Sequence, residues 1–311
     1  MKINVVTNCS KRKAISPAPQ LCSRTLRIGT YAEVSREWGR RIRAADCKIL
    51  AKDLYQGRGF KEARIAANLA RTPLQIISAG LGLVSESDEI PPYSLTVADG
   101  DVDSISRKLV SREHFVLGKW WKALQAVGLR RRVLATDISE SKDTLFILAL
   151  SPMYLGLVLD DLMDLDHASL MRVRIVGPRR QDDVPEGLRP VFIPYDNRID
   201  GLSSPIKGTE SDFPQRAARH FVEVLLKNPQ TDSPENHLKL VSQAMKGWAP
   251  RTIPHRTRLS DAGLRKAIRH LLRKANGSWT RALRMLRDDM EIACEEKRFR
   301  SICREILGIK D

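Results

Sequence analysis

The first thirteen residues constrain the fold more than any other stretch. Ile3, Val5 and Val6 form a short apolar run of β-branched side chains, the pattern of a buried strand. It passes straight into Thr7-Asn8-Cys9-Ser10 and then into Lys11, Arg12 and Lys13. In an open parallel sheet, ligands bind beyond the carboxyl ends of the strands. A first strand that ends in an amide, a thiol, a hydroxyl and three cations is therefore a candidate site for an anionic or hydrogen-bonding ligand. The same residues also read as an ordinary turn followed by a solvated basic face.

Two later stretches repeat the pattern. Ile76 and Ile77 read as strand, and Ser78-Ala79-Gly80-Leu81-Gly82 as a turn whose small side chains let backbone N–H groups face a ligand. Residues 144–150 read as a fully apolar central strand that ends in Ser151-Pro152-Met153-Tyr154. Residues 171–176 alternate and predict a more exposed strand. Pro190 and Pro194 place a short strand over 189–195 at an edge. Helical spacing covers 31–45, 60–70, 114–127, 155–165, 215–226 and 237–245. Strands separated by helices predict an α/β unit over 1–246, with a largely parallel sheet and flanking helices.

From 247 the composition changes, and 247–254 reads as a hinge. Ser260 and Ser278 are placed to cap two helices, Asn276-Gly277 stops the first, and a third runs over about 295–307. Residues 251–311 hold 16 Lys and Arg against 8 Asp and Glu, a net +8. This is half of the +16 carried by all 311 residues. Such an excess, with a pI near 9.9, does not fit an ordinary metabolic enzyme and points to nucleic acid. The basic all-helical C-terminal unit resembles helix-turn-helix modules in outline; the alternative is a solvated helical cap, and the charge bias favours nucleic-acid contact. Arg265, Lys266, Arg269, Arg273, Lys274, Arg281, Arg284 and Arg287 lie off its apolar stripes and are the candidate DNA-binding residues, suited to phosphate contacts.

No run of 18 apolar residues predicts a membrane span, and the opening run is too short for a signal peptide. Five scattered cysteines fit reduced thiols in a cytoplasm. Neither CxxC nor HExxH spacing occurs, so neither a metal nor another cofactor is expected.

Four pieces then occur in a telling order. They are Asn8-Cys9-Ser10-Lys11-Arg12-Lys13; Asp53-Leu54-Tyr55-Gln56-Gly57 with Phe60; Ile77-Ser78-Ala79-Gly80-Leu81-Gly82-Leu83; and Ile90-Pro91-Pro92-Tyr93 with Thr96. Together they resemble the YaaA-like superfamily, bacterial α/β proteins tied to DNA damage or nucleic-acid metabolism. Within it, an α/β core with a basic tail is similar in build to anti-phage DNA glycosylases. That resemblance implies excision of a modified base, such as glucosylated hydroxymethylcytosine, from double-stranded phage DNA.

Base excision needs a flipped-base pocket and stabilisation of an oxocarbenium-like sugar. Asp99 is the candidate stabiliser or base, and Asn8 the candidate base reader or water holder. Each has a plainer reading, Asp99 as a cap after the Pro-Pro-Tyr loop and Asn8 as a turn residue. Tyr55, Tyr93 and Tyr154 are candidates for the aromatic wall. Ser10, Ser78 and Ser151 are candidates to hydrogen-bond the base, beside Gly80, Lys11 and Lys13. Cys9 joins them as a packed thiol, because no partner His can be named for a nucleophile. Base exchange on nucleic acid, non-catalytic DNA binding and a small-molecule nucleotide enzyme are the competing functions, and the last leaves the basic tail unexplained.

Overall fold

Ile3, Val5 and Val6 are buried on strand β1 (Lys2–Asn8), the middle strand of a five-stranded sheet. The computed structural model describes residues 2–110, 114–130, 132–229, 232–251 and 256–308. β1 pairs in parallel with β2 (Gln75–Ser78), which turns back into antiparallel β3 (Gly82–Ser85). On its other side β1 pairs in parallel with β4 (Thr144–Ala149), and β4 with β5 (Val173–Ile175). The sheet order is β3-β2-β1-β4-β5. In register, Thr7 stands opposite both Ile76 and Ala149. The polar ends of β1, β2 and β4 therefore emerge side by side at one edge. The mixed α/β class with a mostly parallel sheet is as the pattern predicts.

Helices flank the sheet because each has one apolar stripe. In α1 (Tyr31–Arg43), Val34, Trp38 and Ile42 recur every four residues and are buried. Thr30 and Glu33 start it with a reciprocal capping box. Helix α2 (Arg58–Ala70) follows Gly57, whose φ of +110° only glycine adopts freely. It packs on α4 (Phe213–Lys227), and both touch β1. Helix α3 (Leu117–Ala126) packs on α1 and buries Trp120 and Trp121. Arg216 of α4 is fully buried between Asp200 at 2.8 Å and Asp212 at 2.6 Å, which fixes the first turn of that helix.

Several expectations need correction. β5 is buried, not exposed. Its Arg174 is tucked inside, where Nε donates to His237 Nδ1 at 2.8 Å and the terminal nitrogens donate to the carbonyls of Met171, Val173 and Asp232. Residues 189–195 form no strand: a 3-10 helix, Glu186–Val191, takes the first three, Phe192 makes only an isolated parallel bridge to Ile175, and Pro190 has no N–H for a ladder. The helix expected over 155–165 is two short ones, Pro152–Leu157 and Leu159–Met163.

The chain divides into two compact units, Met1–Arg251 and Thr252–Asp311. The boundary falls after 246 because 248–251 belong to the first unit. Trp248 packs on His220, and the Arg251 N–H donates to the Asn197 carbonyl. The part of the expected hinge at 252–254 lies outside the described residues. In the second unit the three predicted helices form as α5 (Asp261–Lys274), α6 (Trp279–Asp288) and α7 (Glu296–Leu307). Leu264, Ile268, Leu271, Leu286 and Phe299 make their common core. The unit is not wholly helical, since Thr257–Arg258 pairs in parallel with Ile292–Ala293. Among the described residues, no helix is long and apolar enough to cross a membrane.

Candidate active site

Where β1 runs out, its last polar side chains are drawn into a network. Gln215, in the first turn of α4 and 3% exposed, donates from Nε2 to Thr7 Oγ1 at 3.0 Å. The same nitrogen lies 3.3 Å from both Asn8 Oδ1 and the Ala149 carbonyl. Asn8 Oδ1 also accepts from the Ser151 N–H at 3.4 Å. One amide thus joins β1 to the end of β4 and to α4. Gln215 Oε1 is buried without a hydrogen-bond partner among the described residues. A Cβ on Gly59 would stand 3.0 Å from it, so the glycine lets α2 approach this closely.

Beyond Asn8 the chain places a thiol and an amine among phenols. The Cys9 sulfur is buried, 3.2 Å from the hydroxyl of half-buried Tyr154. Lys13 bridges Tyr55 in antiparallel fashion, through Ala14 N–H to Leu54 O and Gln56 N–H to Arg12 O, each 2.9 Å. That pairing sets the Lys13 ammonium 4.5 Å above the centre of the Tyr93 ring and 5.8 Å from that of Tyr55. Its Nζ donates to the Ser10 carbonyl at 3.1 Å. Burial lowers the Lys13 pKa from the ordinary lysine value, while the charges of Cys9 and Asp103 pull the other way.

Beneath Lys13 runs a chain of buried hydroxyls. Tyr55 OH lies 2.9 Å from Tyr93 OH, which lies 2.6 Å from Ser78 Oγ. Ser78 Oγ in turn accepts from the N–H groups of Gly80 and Leu81 at 3.3 and 3.0 Å. Burial pushes the Tyr55, Tyr93 and Tyr154 phenols upward, so all three stay neutral donors.

The structure therefore gathers Asn8, Cys9, Ser10, Lys13, Tyr55, Ser78, Tyr93, Ser151 and Tyr154. It changes the part that some of them play. Tyr55 and Tyr93 are 1% and 0% exposed, so they form a floor and present no stacking wall; Tyr154 is the partly exposed ring. The turn after β2 does not offer free N–H groups, because Ser78 occupies them. Gly80 is a packing residue, since a Cβ there would stand 2.9 Å from the Tyr93 ring. Two expected members, Asp99 and Lys11, make no hydrogen bond to this group among the described residues, and Ser10 joins it through its carbonyl alone. Asp99 is exposed, and its carboxylate accepts from Ser106 Oγ at 3.0 Å, as a loop cap does. Lys11 points to solvent and pairs with Asp101. Ser10 keeps its hydroxyl on the Arg12 N–H at 3.1 Å.

Gln215, Trp38 and Trp120 escape sequence reading. The two indole N–H groups donate to the Gly80 and Ala79 carbonyls at 2.6 and 2.8 Å and so hold the turn after β2. The helix read over 215–226 already starts at Gln215, with Pro214 before it; what no local signal gives is its partners on β1, Thr7 and Asn8. Among the described residues, no three His, Cys, Asp or Glu side chains are grouped to hold a metal ion.

On the second unit, Lys266, Arg269, Arg273, Lys274, Arg281 and Arg284 are exposed. Arg265 pairs with Glu305 at 3.1 Å. Arg287 is half-buried, and its guanidinium donates to the Cys294 carbonyl at 3.0 and 2.8 Å, a contact that holds the local fold. No protein-family model matches the chain, and no curated protein matches its sequence.

Proposed function

We propose that this protein is a DNA glycosylase that excises a modified base, such as glucosylated hydroxymethylcytosine, to leave an abasic site, in defence against phage. The observation that carries the reading is Lys13. A lysine amine sits beside a thiol and three neutral phenols at the ligand-binding edge of a parallel sheet, in a chain of net charge +16. No carboxylate among the described residues hydrogen-bonds to this group, so the amine is the natural nucleophile. Burial raises its unprotonated fraction at a given pH. Its nitrogen attacks C1′ of the flipped nucleotide, and the C1′–N bond to the base breaks. The base departs with that electron pair and takes a proton, for which Tyr154 is the partly exposed donor. The sugar ring then opens to an imine on Lys13: the C1′–O4′ bond breaks, one amine proton goes to O4′ and the other returns to Tyr154. Water hydrolyses the imine, freeing the abasic aldehyde and the amine.

The test incubates the protein with phage DNA bearing the modified cytosine and with unmodified DNA. Released base is read by mass spectrometry, abasic sites by alkaline cleavage, and the imine by borohydride trapping. Base release from modified DNA only, with a trapped adduct that Lys13→Arg abolishes, is the expected result. Release without any adduct would make water the nucleophile. Tight binding with no release from either DNA would favour the second reading, a non-catalytic DNA-binding protein. One observation speaks for that reading: the expected carboxylate, Asp99, caps an exposed loop with Ser106.

A further inference from the structure

Helix α1 separates two unlike environments. Its inner face carries Trp38, which meets the Tyr93 ring edge-on with centroids 6.2 Å apart. Its outer face carries Arg36, Arg40 and Arg43, all exposed. With Arg27 from the preceding loop they line a cavity of about 700 Å³, whose remaining wall includes Ile28 and Val127. A second cavity of about 470 Å³ shares Arg27, Glu37 and Arg40 with it and adds Arg41. The two make one open groove along the helix.

Its charge is unbalanced. Five arginines face two carboxylates, and both carboxylates are engaged. Glu33 accepts from the Thr30 N–H and hydroxyl at 2.8 and 2.9 Å. Glu37 pairs with Arg41 at 2.5 Å. Arg36 and Arg43 each donate to one backbone carbonyl, of Ala32 and Val127, and keep further N–H groups for solvent. The side chains of Arg27 and Arg40 have neither a hydrogen bond nor an ion pair among the described residues. A guanidinium fork matches a phosphate in two-point geometry. Arg36, Arg40 and Arg43 lie on one helix face over seven residue steps, about 10 Å, a length over which a nucleic-acid backbone presents several phosphates.

We propose that this groove is a phosphate-backbone site of the α/β unit itself, which lays a strand of nucleic acid along the outer face of α1. The identification of the polyanion as nucleic acid rests on the function proposed above. The groove reads charge and not sequence, so it holds DNA and RNA backbones alike.

The test uses the full chain with Arg27→Ala and Arg40→Ala combined, because neither side chain has an internal partner whose loss would disturb the fold. Binding to a labelled DNA oligonucleotide, and to RNA of the same sequence, is measured by anisotropy across a salt series. Two lost phosphate contacts reduce the slope of log K against log salt by roughly 1.8 for duplex. Arg27→Lys with Arg40→Lys keeps most of the slope, and thermal melting confirms the fold. An unchanged slope in the alanine variant overturns the groove, and so does absence of wild-type binding to either nucleic acid. Unchanged slope with intact base release overturns the groove alone. A reduced slope with no base release from any DNA keeps the groove and overturns the glycosylase.

Discussion

Lys13 shows how a single side chain is held in an unfavourable state by its neighbours. The backbone bridge to Tyr55 fixes its direction, and the Ser10 carbonyl and the Tyr93 ring receive its ammonium. None of these replaces lost water fully, so burial depresses the pKa. The unfolded chain then binds the proton more tightly than the folded one. Stability consequently rises with pH between the lowered value and the ordinary lysine range, and the full penalty applies below that window. Lys13→Met should therefore melt higher than wild type at pH 7, by about 2–4 °C for each kcal/mol relieved. The gain should shrink as the pH approaches 10, and base release should vanish. Calorimetry at pH 7 and 9.5 checks it; a variant that melts lower at pH 7 would show that the contact with Tyr93 outweighs desolvation.

At the level of elements, the three strand ends were legible because each couples a β-branched or apolar run to a polar exit, Asn8-Cys9-Ser10, Ser78 and Ser151. Their adjacency follows from the parallel order. What stayed hidden depends on contacts between residues far apart in the chain. Gln215 meets Asn8 across more than two hundred residues, and no local pattern encodes that pairing. Arg174 looked like the outward residue of an alternating strand, yet carbonyls at its own strand end receive it. Asp99 was singled out for its chemistry, but spacing after the Pro-Pro-Tyr loop says nothing about which way the loop turns, and its carboxylate accepts from Ser106. Helix α4 adds a pH dependence of its own. His220 is buried, its Nδ1 2.9 Å from Tyr195 OH, and burial lowers its pKa from 6.5 to about 4. The folded state holds it neutral where the unfolded chain is already charged. Its contribution is complete above pH 6.5 and is lost as pH falls toward 4, on the order of 3 kcal/mol in all. Urea midpoints at pH 7, 5 and 4 should fall more steeply in wild type than in His220→Gln. Parallel falls would assign the acid sensitivity to the buried carboxylates instead.

For the molecule as a whole, the separation of cores decides what each unit does alone. The cluster around Lys13 and the α1 groove lie entirely within Met1–Arg251, which has its own continuous core. Thr252–Asp311 has a second core that shares no residue with the first. A unit near 60 residues buries a smaller share of its surface and is only marginally stable, whereas one near 250 is not. The +8 of the tail was visible as composition, but the structure divides that charge into exposed cations and arginines that hold the fold, such as Arg287. A fragment ending at Arg251 should therefore melt cooperatively near the main transition of the full chain. If the tail supplies phosphate contacts and no chemistry, that fragment should release base with unchanged kcat at low salt. Its KM should rise, and its binding should become less steeply dependent on salt, by about 0.9 in slope for each tail contact with duplex DNA. Loss of kcat with the fold intact would place part of the reaction in the tail. A non-cooperative melt would mean that the core of the first unit is incomplete without the second.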